Sequence, residues 1–189
     1  MKKSLKLFIF IGVFLGFFVA GTAFAGMTFD LNIGNEALSV GPWAKVMVDD
    51  PTLTGADVTV TAYGNYLFNA FGINPSAGYT GYISVSPGSF TEDFPSPKNM
   101  DGFGTYSLIF KGPNMAQAVS SLSFTLLGTW ANAADVLDFN ADGYLAAAHI
   151  AMNDGTGNTG FASAVPIPAA VWLLGFGVVG LVGAKRRIN

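Results

Sequence analysis

The chain has 189 residues with 9 Lys and Arg, 12 Asp and Glu, one His and no Cys. The missing cysteine excludes a disulfide framework, a thiolate metal site and a cysteine nucleophile, and a single His excludes any site that needs two imidazoles. Residues 26–164 hold three Lys against all twelve acids, a net charge of −9 that repels phosphate backbones and argues against a nucleic-acid partner.

Residues 1–25 have the layout of a secretory signal. Lys2, Lys3 and Lys6 make a positive start, Leu7 to Ala20 is an unbroken apolar run, and Ala23-Phe24-Ala25 offers the small residues that a signal peptidase accepts, with cleavage after Ala25. The next stretch, 26–154, is punctuated as a series of short strands, since residues 26–164 contain 17 Gly and 7 Pro. Met27, Phe29, Leu31 and Ile33 alternate with polar neighbours, as do Ala44, Val46 and Val48, then Val58, Val60 and Ala62. Ile83 and Val85, then Tyr106, Leu108 and Phe110, then Leu122, Phe124 and Leu126 continue the period of two, and a last strand is expected from Tyr144 to Met152. Ala131 to Leu137 allows one helical turn. The expected fold is all-β, an antiparallel β-sandwich of jelly-roll or immunoglobulin-like kind, between an N-terminal signal helix and a single C-terminal transmembrane helix.

Residues 155–164, rich in Gly, Thr, Asn, Ser and Ala, read as a linker. Residues 165–189 follow as a separate unit. Val165 to Ala184 is twenty residues without a charge, about 30 Å as a helix and enough to cross a bilayer, and Lys185, Arg186 and Arg187 follow at once. The basic cluster would stay cytoplasmic, which puts residues 26–164 outside. Gly175-Phe176-Gly177-Val178-Val179-Gly180 spells a dinucleotide-loop pattern, but inside an apolar span with nine residues left it lacks the strand, helix and acidic residue that such a loop needs.

The run Val165-Pro166-Ile167-Pro168-Ala169-Ala170-Val171-Trp172, its apolar Gly-rich continuation and the terminal Lys-Arg-Arg resemble the PEP-CTERM sorting signal, and more closely its VPLPA-type variant. Ile167 stands where the commonest version has Glu. The resemblance implies recognition by an exosortase, an integral-membrane cysteine protease or transpeptidase of Gram-negative bacteria. It also implies a passage through the inner membrane that is only transient, and a destination outside the cell or on its surface. Met100 to Gly104, Ser121 to Leu126, Gly128 to Leu137 and Gly143 to Ile150 resemble the ectodomain of exported proteins with that tail, for which no catalysis is implied. The processing residues under this reading are Ala23, Ala25, Val165, Pro166, Pro168, Lys185, Arg186 and Arg187, and the partners are signal peptidase and exosortase.

Candidate chemistry inside the body is sparse. Asp138-Phe139-Asn140-Ala141-Asp142-Gly143 places oxygens at alternate positions before a glycine, the way a calcium loop begins, so Asp138, Asn140 and Asp142 are the candidate metal ligands. The twelfth position is His149 rather than a bidentate Glu, and the competing reading is an Asx-rich turn. No cofactor is expected beyond that calcium candidate. His149 has no G-x-S-x-G partner, and the neighbours Glu92 and Asp93 would point to opposite faces of a strand, so no enzyme is expected. Trp43 sits on the strand face opposite Ala44, Val46 and Val48, which makes it the candidate exposed aromatic for stacking on a sugar. The expected role is a structural or adhesive protein of an exopolysaccharide layer or biofilm. The alternative is a carbohydrate-binding module, with a calcium ion as its candidate structural metal.

Overall fold

The structure is a computed structural model that describes residues 26–35, 38, 41–153 and 157–164. The expected signal and transmembrane helices, and with them Ala23, Ala25, Val165, Pro166, Pro168, Lys185, Arg186 and Arg187, lie outside the described residues. Among the described residues no helix is long and apolar enough to cross a membrane. What is described is antiparallel β-sheet with two single turns of 3-10 helix, Met115–Gln117 and Ala133–Asp135. The second of these is the turn expected within residues 131–137. It starts on Asn132, whose side chain accepts from the Ala134 amide at 2.9 Å.

Two sheets share one core. The first contains β1 (Met27–Leu31), β3 (Ala44–Val48), β4 (Gly55–Ala62), β6 (Gly81–Ser86) and β11 (Ser121–Leu127), in the order β1-β3-β4-β11-β6. The second contains β2 (Ile33–Gly34), β5 (Tyr66–Pro75), β7 (Thr91–Glu92), β10 (Leu108–Lys111), β13 (Ala146–Met152) and β14 (Thr159–Ala164), in the order β2-β14-β13-β5-β10-β7. A short β12 (Leu137–Asp138) pairs with the end of β5. The N-terminal segment serves both sheets: β1 pairs with β3, and β2, two residues on, pairs with β14.

The inward residues follow the alternation expected for β3, β4 and β11. Val46, Val48, Val58, Val60, Leu122, Phe124 and Leu126 of the first sheet meet Phe68, Phe71, Ile73, Leu108, Phe110 and Ile150 of the second. Burying each such side chain contributes roughly 1.5–3 kcal/mol, which replaces the absent disulfides as the source of stability.

Three expectations are corrected. Residues 159–164 are no linker: β14 runs between β13 and β2, with Ala162, Ser163 and Ala164 buried. Its buried residues are small, and Phe161 is partly exposed. A Cβ on Gly160 would sit 2.8 Å from the Leu38 side chain. Ile83 points outward rather than into the core. The register of β11 against β6 shifts between Ser123 and Thr125, and Ser84 adopts φ 59° there, so one extra residue reverses the alternation and brings Tyr82 and Val85 inward instead. Tyr106 does not continue the inner face of Leu108 and Phe110. It belongs to a separate hairpin of β8 (Lys98–Asn99) and β9 (Thr105–Tyr106), and the chain changes sheets at Ser107, whose amide donates to Asn74 Oδ1 at 2.7 Å.

That hairpin and its flanks, residues 93–106, lie as a flap over the outer face of the second sheet. Met100, Phe103 and Tyr106 pack on Ala70, Ile109 and Ala147 in a second small core, with Tyr144 and Phe161 against it. Gly72 leaves room for the flap, since a Cβ there would meet the Tyr106 ring at 3.1 Å.

Candidate functional site

The register of the second sheet builds a recess beside the flap. Lys111 of β10 stands opposite Ala70 of β5, Ala70 opposite His149 of β13, and His149 opposite Phe161 of β14. These four residues form one row across four strands on the outer face. The neighbouring row, Ile109, Gly72, Ala147 and Ser163, lies toward the flap, whose Tyr106 packs beside Gly72. Adjacent strands are about 4.8 Å apart, so the Lys111 and His149 backbones stand roughly 10 Å apart with only an alanine methyl between them. The result is an open recess of ≈ 120 Å³ floored by Ala70 and Ile109 and walled by Met100 and Asn99 of the flap.

His149 is half-buried and stacks on Phe161, with ring centroids 4.5 Å apart and an interplanar angle of 11°. Burial, and secondarily the nearby Lys111 ammonium, hold the imidazole below its ordinary pKa of 6.5. Among the described residues none hydrogen-bonds to the His149 ring. Lys98, at the rim, is paired to Asp93 at 2.6 Å. Lys111 has no carboxylate within ion-pair distance among the described residues, so it is the unneutralised cation of the recess. Two of the three lysines of residues 26–164 and the chain's single His therefore meet at one place on an otherwise acidic body.

The residues singled out from the sequence serve other ends. Trp43 is 1 % exposed and is not a surface aromatic. It precedes β3 rather than belonging to it, so the strand's alternation does not reach it. Its indole fills a slot left by two glycines, where a Cβ on Gly34 or Gly41 would come within 2.5 or 2.8 Å of the ring. Its Nε1 is buried without a hydrogen-bond partner among the described residues. Trp130 is also committed, since its Nε1 donates to Ser76 Oγ at 2.8 Å. Among the described residues the exposed aromatic rings are Phe94, in the flap beside Asp93, and Phe139.

Asn140 turns its polar atoms inward. Its Oδ1 accepts from the amides of Asp142 and Tyr144 at 3.1 and 2.9 Å, and its Nδ2 donates to the Phe103 carbonyl at 2.7 Å. Gly143 takes φ 84° to close the turn, as the Asx-turn reading expects. Asp138 pairs through β12 with β5, and the Asp142 carboxylate lies over Gly104 of the flap. The segment is thus a latch: Asn140 grips the flap and Tyr144 meets Phe103 edge to face at 5.1 Å. Among the described residues no three His, Cys, Asp or Glu side chains gather as a metal-binding group. Asn35 clamps the flap from the other side, donating to the Asp101 carbonyl at 2.9 Å and accepting from the Phe161 amide at 2.7 Å.

A second depression, ≈ 260 Å³, lies on the outer face of the first sheet at the β6–β11 irregularity. Asp49, Asp57, Thr59, Ser84, Ser123 and Thr125 line it, and Asp57 is already bonded to the Thr125 hydroxyl at 2.6 Å.

Lys111, Lys98 and Phe161 were not singled out from the sequence. The available signal was the scarcity of cations in residues 26–164, but their convergence depends on strand pairing. No family model, curated protein or solved structure matches this chain.

Proposed function

We propose that the chain is an exported cell-surface or extracellular-matrix protein of a Gram-negative bacterium, processed by signal peptidase and an exosortase, with a structural or adhesive role in an exopolysaccharide layer. The observation that carries this reading is where the strands lie relative to the two tags. The first described strand begins at Met27, just beyond the expected cut after Ala25, and the last ends at Ala164, just before Val165-Pro166. Both terminal strands belong to the shared core, so processing at those two places would leave every described strand in the body. The chain passes back and forth between the sheets from β4 to β13, which favours a jelly-roll-like over an immunoglobulin-like arrangement. We read the body as non-catalytic.

Cell fractionation tests the proposal. The protein is expected in the surface or matrix fraction, and substitution of Lys185, Arg186 and Arg187 by Ala, or of Pro166 and Pro168 by Ala, should strand it at the inner membrane. Recovery of the wild type as a soluble cytoplasmic protein would contradict the proposal. The reading as a carbohydrate-binding module gains support from the recess on the second sheet rather than from Trp43.

A further inference from the structure

We propose that the recess between Lys111 and the His149–Phe161 pair binds a carboxylated sugar, a uronic-acid residue of an anionic polysaccharide. Three features select that chemistry. Lys111 supplies a cation that has no carboxylate counter-ion among the described residues, and Ala70 leaves the row low between it and His149. The floor and far wall, Ala70, Ile109, Met100 and Phe161, are apolar and suit the C–H face of a pyranose ring. The side chains of Asn99 and His149, at the rim and the far end, are hydrogen-bonding groups for ring hydroxyls.

Geometry agrees with that occupant. A gap of roughly 10 Å between backbones, shortened by the Lys111 and His149 side chains, takes one sugar ring and leaves its glycosidic neighbours in solvent. The net charge of −9 on residues 26–164 does not forbid an anion here. Screening confines exposed charges to about 8 Å at physiological salt, so the nearest groups decide. Among the described residues those groups are Lys111 and the internally neutral Lys98–Asp93 pair. A neutral glycan would leave the Lys111 charge unused. An acidic peptide would offer the carboxylate but no ring for the apolar floor.

The assignment deepens the matrix reading, and it can fail while export stands, because export is read from location and termini. His149 is the chain's one histidine, so its imidazole Cε1–H and Cδ2–H signals are assigned without ambiguity. The full chain in detergent micelles, labelled at His, is titrated with oligogalacturonate, with a neutral gluco-oligosaccharide, and with oligoglutamate. Oligogalacturonate should shift the His149 signal saturably, and the other two should not. Lys111→Gln should weaken that binding at least about tenfold, the loss of one charge-assisted contact. Lys45→Gln, which removes the lysine on the first sheet, should leave it unchanged. The proposal is overturned if oligogalacturonate causes no shift, if either control ligand binds as tightly, or if Lys111→Gln has no effect.

Discussion

Replacing Asn140 by Ala removes three hydrogen bonds at a buried site, those to the Phe103 carbonyl and to the amides of Asp142 and Tyr144. A typical bond contributes about 1 kcal/mol net, and the exposed turn can rehydrate part of what is lost, so the expected cost is about 2–3 kcal/mol. For a body of this size that lowers Tm by about 10 °C. The loss should concentrate in the flap, with faster amide exchange of Met100 and Phe103, whose amides bond within the turn at 2.8 Å each. The assay is thermal unfolding with native-state hydrogen exchange, each run with EDTA and with millimolar Ca²⁺. A latch loses the same stability under both conditions. Asn140→Asp, which keeps the acceptor and loses the donor to Phe103, should also loosen the flap. A calcium ligand would behave otherwise: Ca²⁺ would raise the wild-type Tm, Asn140→Ala would abolish that rise, and Asn140→Asp would preserve or strengthen it. That pattern would make Asn140 a metal ligand and not a latch.

Trp43→Ala should destabilise by about 3–5 kcal/mol in chemical denaturation, as expected for a buried ring in a tight slot, and leave oligogalacturonate binding intact. Tyr106 is fully buried, and burial, with the nearby Ser163 hydroxyl acting against it, pushes its phenol up to about 12 from an ordinary 10. The unfolded chain therefore releases that proton first, and as pH rises from 10 to 12 this residue's share of the loss of stability is about 3 kcal/mol. Tyr106→Phe should make the slope shallower, while Tyr79, also pushed up to about 12, keeps part of it. His149 shifts the opposite way. Its folded pKa lies below 6.5, so the unfolded chain binds the proton first and stability falls as pH drops below 6.5, until the folded ring also protonates. Lys111 and the Lys98–Asp93 pair are the charged groups that line the recess with it, and His149→Phe should remove this acid slope between pH 6.5 and the carboxylate range in urea titrations.

Alternation exposed the strands whose outer face meets solvent and hid those covered on both sides. β3 and β11 carry Ser, Thr, Lys or Met outward and read as clean period-two segments. β5 is the central strand of the second sheet, yet Phe68 to Ile73 is buried throughout, because the flap covers the face opposite the core. With both faces covered, no alternation of buried and exposed positions remains to read. β14 reads as a linker for a related reason: its buried Gly160, Ala162, Ser163 and Ala164 are small, a Cβ at Gly160 would crowd Leu38, and small residues also make linkers. The Asp-x-Asn-x-Asp-Gly segment was legible as a tight turn, but only the fold shows Asn140 reaching 37 residues back to Phe103. The recess was the least legible feature, since Lys111, Ala70, His149 and Phe161 are neighbours solely through pairing of four strands.

Intact-mass spectrometry of the protein recovered from its native cells bears most directly on the account of two removable tags around a folded β body. The expected mature chain begins at Gly26 and ends near Pro166. A mature pool that still carries Met1 or Asn189 would contradict it.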